Sequence, residues 1–345
     1  MKKKLRQIKK SISEIDNKII KICYNNTLLT SIYYFIKPSF WREEKAVLYG
    51  RYQYQKNSSA SIGNIFFLRR SIHRLEKGIL MRPRREVFAE SYIYDTVNSY
   101  LKLKEDGGGW STVDWAHDVL TNYFEVVNSA KSSKIKLAES KFNEFSFHPL
   151  RKKMMIPYNR DNKDKPNISI EEFEKLAIYR RSVRWFLEKP IKRSIIEKAV
   201  HVAGYSPSAC NRIPYKFRVF DDFDKVKEIA NCAMGTAGYL DNIPSIIAVV
   251  GDLSAYPNER DRHLIYIDSS LATMSFVYAL ELQGVSSCII NWPDIEKREK
   301  QISKILSLKP YERVTMLIAV GYEDNKGMVA FSKKKEITEM VSYNQ

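Results

Sequence analysis

Cysteine is scarce. The four residues, Cys23, Cys210, Cys232 and Cys288, stand far apart in a chain of 345. There is no CxxC and no Cys/His pair at metal-ligand spacing, which argues against a zinc module or a disulfide framework. Reduced thiols in a cytoplasmic protein are the expectation. Histidines 73, 117, 148, 201 and 263 are unclustered, and none reads as a metal ligand. No run of about 20 apolar residues is present, so a membrane-spanning helix is not expected. KKKLRQIKK leads into polar helix rather than an apolar segment, so no secretory leader is expected either. No Gly-x-Gly-x-x-Gly follows a strand pattern, and no Gly-Lys-Ser/Thr follows Gly107-Gly108-Gly109. A separate dinucleotide domain and a phosphate loop are therefore excluded, and the triple glycine reads as a turn.

Acidic charge is the other shortage. Lys and Arg total 57 against 40 Asp and Glu, a net of +17. Residues 1–165 hold 32 basic against 17 acidic residues, and 166–345 hold 25 against 23, so the excess lies in the first half. Such a field favours phosphate, nucleic acid or an acidic membrane surface.

What is present divides the chain. Leu5, Ile8, Ile12, Ile15, Ile19 and Ile22 repeat at helical steps and predict half of a packed helical hairpin, or a short zipper between copies. Residues 27–56 are aromatic-rich and ambiguous. Helical patterns return near 64–78, near 86–104 and from Ser111 onward. Residues 149–168 are charged, proline-punctuated and without periodicity, which predicts a linker and a boundary near 165. Beyond it, Ser169 and Glu172 form a capping box. Strand patterns at 215–219, 245–250, 287–291 and 314–320 then alternate with helical ones, including a long apolar helix at 263–282 closed by Gly284.

Two segments carry chemistry. Residues 180–184 read Arg-Arg-Ser-Val-Arg, and 206–215 read Ser-Pro-Ser-Ala-Cys-Asn-Arg-Ile-Pro-Tyr. Taken alone, the first is a solvated basic face and the second an ordinary turn. They are followed in order by Gly284-Val-Ser-Ser-Cys-Ile-Ile-Asn-Trp292, by Val-Gly-Tyr322 and by Lys333-Lys334-Lys335. As an ordered set, residues 171–345 resemble the FMN-dependent nitroreductase family. The resemblance implies an α+β fold, a nitroreductase-like α/β/α sandwich, here preceded by a basic, mainly helical N-terminal domain. It implies FMN as cofactor, NAD(P)H as electron donor, a hydride relay through flavin N5, and a homodimer with the flavin at the subunit interface.

It also implies roles. Arg180, Ser182 and Arg181 would hold the phosphate and ribityl chain, with Lys333 and Lys335 completing the clamp. Arg184 would face the pyrimidine edge of the ring, Asn211 would bond that edge, and Pro207 and Ser208 would shape its wall. Asn291 and Trp292 would lie near N5 as the catalytic pair, through their backbone N–H groups, with the bulk of Trp292 covering the ring or narrowing the pocket. Fixed cations suit the task, because arginine offers a permanent charge and a bidentate fork to phosphate. The sequence departs from the family at Ile213 and at the Asn291–Trp292 pair, which argues against nitroaromatics as the physiological substrate.

The role of residues 1–165 stays open. Arg69, Arg70, Arg74, Lys77, Arg82, Arg84 and Arg85 crowd residues 69–85, with Arg70, Arg74 and Lys77 on one helix face and Ile72, Leu75 and Ile79 on another. That face is either solvated surface or a site for an anion: a substrate phosphate, a carrier or an acidic membrane. Aliphatic rather than aromatic interleaving argues against nucleic acid. Three functions remain: an FMN-dependent oxidoreductase for an anionic or carrier-linked substrate, an oxidase passing electrons to oxygen, and a non-catalytic flavin-fold scaffold whose basic half binds a membrane or polyanion. The location expected is cytoplasmic, with a peripheral place at the inner membrane surface left open.

Overall fold

A computed structural model describes residues 2–58, 63–107, 109–144, 154–162 and 165–344. The seam of isoleucines forms α1 (Lys2–Cys23). Asn26 caps α2 (Thr27–Ile36) by accepting from Leu29 N–H. Tyr33 and Lys37 both donate to Asp16, closing the hairpin. The hairpin thus forms as expected, but Ile8, Ile12, Ile15 and Ile22 remain exposed, so the seam is not packed within the chain.

Helices α3 (Trp41–Ser58), α4 (Ile65–Ile79), α5 (Ile93–Glu105), α6 (Trp110–Val126) and α7 (Ser133–Asn143) complete the first half. The last four pack around Leu68, Ile72, Leu75, Val97, Leu120 and Ile135. The expected apolar side of α4 is buried as read. The helix expected near 86–104 starts later, at Ile93. Ala89, at φ 68, turns the chain there, and its carbonyl accepts from Tyr92 and Ile93 N–H. The start of α6 is capped by Gly109 at φ 64, one residue before Trp110, rather than by Ser111. Of the linker expectation, 149–153 and 163–164 lie outside the described residues, as does Gly108. The remainder carries only a short 3-10 turn, at Arg160–Asn162.

The second half opens with the capping box at Ser169, which starts α8 (Ile170–Tyr179). It continues through α9 (Arg193–Ala203), β1 (Tyr215–Phe220), α10 (Phe223–Ala230), β2 (Ser245–Asp252), α11 (Leu264–Glu281), β3 (Ser286–Asn291), α12 (Glu296–Ile305) and β4 (Glu312–Gly321). The strands make an antiparallel sheet in the order β1-β2-β4-β3. Ile247, Val249, Ile318 and Val320 face α9 and α11. Ile246, Ala248, Ile290 and Ala319 face α10 and α12. This is the expected α/β/α sandwich. Because side chains alternate along a strand, the bulge between Val249 and Val250 is needed to keep both ends of β4 in register with these layers. Thr315 occupies it and donates to Val249 O.

The first half does not stand apart from this sandwich. Ala46 of α3 is buried with Leu253, Ala255, Tyr256 and Ile265. Arg42 pairs with Asp294, with Glu296 at 3.1 Å and with Glu299 at 3.2 Å, and Arg313 meets Glu299 at 3.3 Å. Gly50 permits the close approach, since a Cβ there would lie 2.6 Å from Leu253 O. A Gly50→Val variant must push α3 off the sandwich. It should lower the unfolding free energy by about 1–3 kcal/mol, the usual cost of overpacking. An unchanged urea midpoint would show that α3 is not docked as described.

Candidate active site

The arginine segment begins where α8 ends. Arg180 caps the helix with its N–H on Leu176 O and then turns extended, at ψ 118. From there both edges of the segment are held. Val183 N–H donates to Ser287 O of β3 at 3.1 Å, and Leu187 N–H donates to Tyr322 O at 2.8 Å. Phe186 is buried, and its N–H donates to Asn242 Oδ1 at 2.6 Å. Arg181 Nη2 donates to Phe331 O at 3.1 Å, which brings the C-terminal chain carrying Lys333 and Lys335 against the segment. Arg184 donates to Ser182 O at 3.2 Å and lies 5.8 Å from the Tyr239 ring centre.

The electrostatics of the segment are lopsided. Among the described residues, Arg180, Arg181 and Arg184 make no ion pair. Arg180 Nε is buried without a hydrogen-bond partner. Glu281 lies near Arg180 but does not pair with it. Burial pushes its carboxyl up to about 7, against the bond from Ser286 and helped by nearby Glu323. Lys333 pairs with Glu336 at 2.8 Å, and Lys335 is exposed.

The second segment is folded tightly against α11. Ala209 N–H donates to Asp268 Oδ2 at 3.0 Å, Ser206 and Ser275 hydroxyls bond at 2.8 Å, and Ile213 N–H donates to Ser208 Oγ at 2.9 Å. Cys210, Asn211 and Ile213 take φ values of 55, 53 and 52. Left-handed backbone at non-glycine residues costs on the order of 1–3 kcal/mol each and persists only where the surroundings enforce it. One enforcer comes from the first half: Arg69 of α4 donates to Asn211 O at 2.7 Å and to Thr112 at 2.8 Å. Sequence reasoning placed Arg69 in a basic cluster and missed this role. No local pattern shows that α4 passes the loop.

Pro207 is exposed, Ser208 and Asn211 are half-buried, and Asn291 is exposed at the end of β3. Trp292 departs from expectation. Its ring is turned into the core and donates to buried Glu299 at 2.6 Å, so it neither covers a ligand nor narrows a pocket. What Trp292 keeps available for a ligand is its main chain.

No hydrogen bond, ion pair or ring contact described joins residues 180–184 to 206–215. A hollow of about 630 Å³ between α3 and the start of α11 is lined by Phe40, Val47, Arg51 and His263 and contains none of these residues.

Residues 177–322 match the Nitroreductase family model; residues 1–176 and 323–345 lie outside the match. The "Putative NADH dehydrogenase/NAD(P)H nitroreductase" of Archaeoglobus fulgidus is 29% identical over 155 residues, covering 44% of this chain and 86% of the relative. Human iodotyrosine deiodinase 1 is 23% identical over 199 residues, covering 50% and 68%. Among solved structures, an FMN-dependent nitroreductase from Clostridium difficile R20291 aligns at TM-score 0.43 with 22% identity, over 49% of this chain and 98% of that one.

Glu281 gives this end of the site a pH dependence. Its folded value lies above the ordinary 4.5, so the folded state holds the proton more tightly than the unfolded state. The stability it contributes is complete below the ordinary value and is lost as pH rises through about 7. Between about pH 5 and pH 8 the wild-type melting temperature should therefore fall more than that of Glu281→Gln. After discounting for solvent the difference is on the order of 1 kcal/mol. Parallel curves for the two proteins would contradict the assignment.

Proposed function

We propose that residues 166–345 are an FMN-dependent oxidoreductase that takes NAD(P)H as donor and works as a homodimer on an anionic or carrier-linked substrate. One observation carries this reading. Three arginines are held in a fixed segment without a carboxylate partner, and one of them has a buried, unpartnered Nε. These arginines are half-buried and one Nε is buried without a partner, so an arrangement of this kind suits a bound anion. The phosphate of FMN fits that donor set, with Arg180, Arg181 and Ser182 against it and Lys333 and Lys335 closing over it from the adjoining chain. Bound FMN would supply hydride chemistry at its N5. Arg184 would then stabilise negative charge on the ring edge, Asn211 would fix the ring's orientation, and the main chain at Asn291 and Trp292 would offer donors.

The separation of the two segments within one chain supports a site completed by a second copy, each supplying the segment the other lacks. Ile267 and Leu271 on α11, Phe173 on α8, and Met328 and Phe331 in the C-terminal chain are exposed apolar residues that such a dimer would cover. The relatives' names, an NADH dehydrogenase/NAD(P)H nitroreductase and a deiodinase, support an oxidoreductase. No described helix is long and apolar enough to cross a membrane.

Purified protein should carry one FMN per chain, bound non-covalently and released on heat denaturation. Arg180→Ala should weaken FMN binding tenfold or more, since a charge-assisted hydrogen bond is worth roughly 1.5–3 kcal/mol. Protein that stays colourless and gains no thermal stability from added FMN would refute the reading.

A further inference from the structure

The basic cluster of the first half meets the second half at one place. Arg69 holds the carbonyl of Asn211, and the next residue, Arg212, is 4% exposed. The Arg212 guanidinium sits 4.9 Å from the Tyr256 ring centre, and its Nε has no hydrogen-bond partner. The Tyr256 hydroxyl is likewise buried and unpartnered. The charges of Arg70 and Arg212 both bear on the hydroxyl of buried Tyr54. Arg74 lies over the Tyr92 ring at 3.8 Å, and Tyr92 is also under the influence of Arg70.

The guanidinium groups of Arg69, Arg70 and Arg212 therefore lie where α4 meets the 206–215 loop, with Arg74 a turn further along α4. None of them makes an ion pair among the described residues. The charge of Asp268 bears on Arg212, but Asp268 makes no ion pair with it; its Oδ2 accepts from Ala209 N–H. The neighbouring Glu76 is taken by Trp115 and His73.

A buried guanidinium whose Nε has no hydrogen-bond partner and which makes no ion pair is under-compensated, and a ligand anion would complete it. The geometry points to a second anion site, built from Arg70, Arg212 and Tyr54, that holds a phosphate or diphosphate group carried by the substrate. A single carboxylate would leave most of the positive charge uncompensated, whereas a phosphate brings close to two charges and several acceptor oxygens. Arginine in place of lysine gives the fixed forks such a group needs. The site deepens the proposed function, because Asn211 and Arg212 share the loop assigned to the flavin wall; an anion here places the remainder of its molecule beside that wall. The helical first half then has a defined task, which is to supply half of the substrate's anchor.

The test is calorimetric titration of inorganic pyrophosphate into the full chain, with and without saturating FMN. Binding should persist when FMN is saturating. It should weaken tenfold or more in Arg70→Gln and in Arg212→Gln and several-fold in Tyr54→Phe, with flavin content unchanged in all three. Acetate at equal concentration should not compete. The proposal is overturned if wild-type protein binds no pyrophosphate, if FMN displaces it, if acetate displaces it, or if Arg70→Gln binds it as wild type does. Arg70 is only half-buried and Tyr54→Phe removes a single hydroxyl, so these two variants decide the matter should Arg212→Gln fail to fold. A protein that takes up no FMN but shows this pyrophosphate pattern would refute the flavin reading and leave the anion site standing.

Discussion

The site depends on residues 180–187 being trapped between two neighbours. Val183 is tied to β3 and Leu187 to the end of β4, with Phe186 buried between them. Three guanidinium groups repel one another and would separate in a free loop. Here the backbone fixes them, and the anchoring contacts involve groups other than the three guanidinium forks, apart from one bond each from Arg181 and Arg184 to backbone carbonyls. Their remaining donors make no ion pair among the described residues. The same clamp sets the path of the C-terminal chain, because Asp324 N–H donates to Trp185 O and Gly327 packs on the Trp185 side chain.

The helical first half acts on both ends of the sandwich. At one end Arg42 of α3 joins Arg313 and Trp292 around Glu299, which holds the turn after β3 in place. At the other, Arg69 of α4 holds the strained loop at Asn211. A buried ion group of this kind contributes little net stability compared with apolar packing, but removing one member leaves an uncompensated charge. Its effect is to fix geometry. On the proposed reading, the extension is part of the site and not an appended module.

Much of the second half was legible in the sequence. The capping box at Ser169, the strand at 245–250 and the apolar helix at 263–282 each carry a local signal: a side chain matched to a backbone donor, a continuous apolar run, a terminal glycine at φ 72. The first half was less legible for physical reasons. Ala89 turns the chain where the pattern continues helical, and nothing in its side chain announces a positive φ. Trp292 was read as facing a ligand, because its partner Glu299 lies seven residues beyond, in α12, and burial of that carboxylate depends on Arg42, some 250 residues earlier. Arg69 and Arg212 look alike in sequence to the exposed Arg82, Arg84 and Arg85; only tertiary packing separates them.

The central claim is that the cationic segment of one copy and the 206–215 loop of another form one flavin site. Co-expression of an Arg180→Ala chain with an Asn211→Ala chain, each carrying a different tag, tests it directly. Neither variant alone should hold flavin well. In the mixed dimer one site carries both changes and the other carries neither, so purification through both tags should recover about one FMN per dimer. A mixed dimer with no more flavin than either parent would place both segments at a site within one chain and contradict the account.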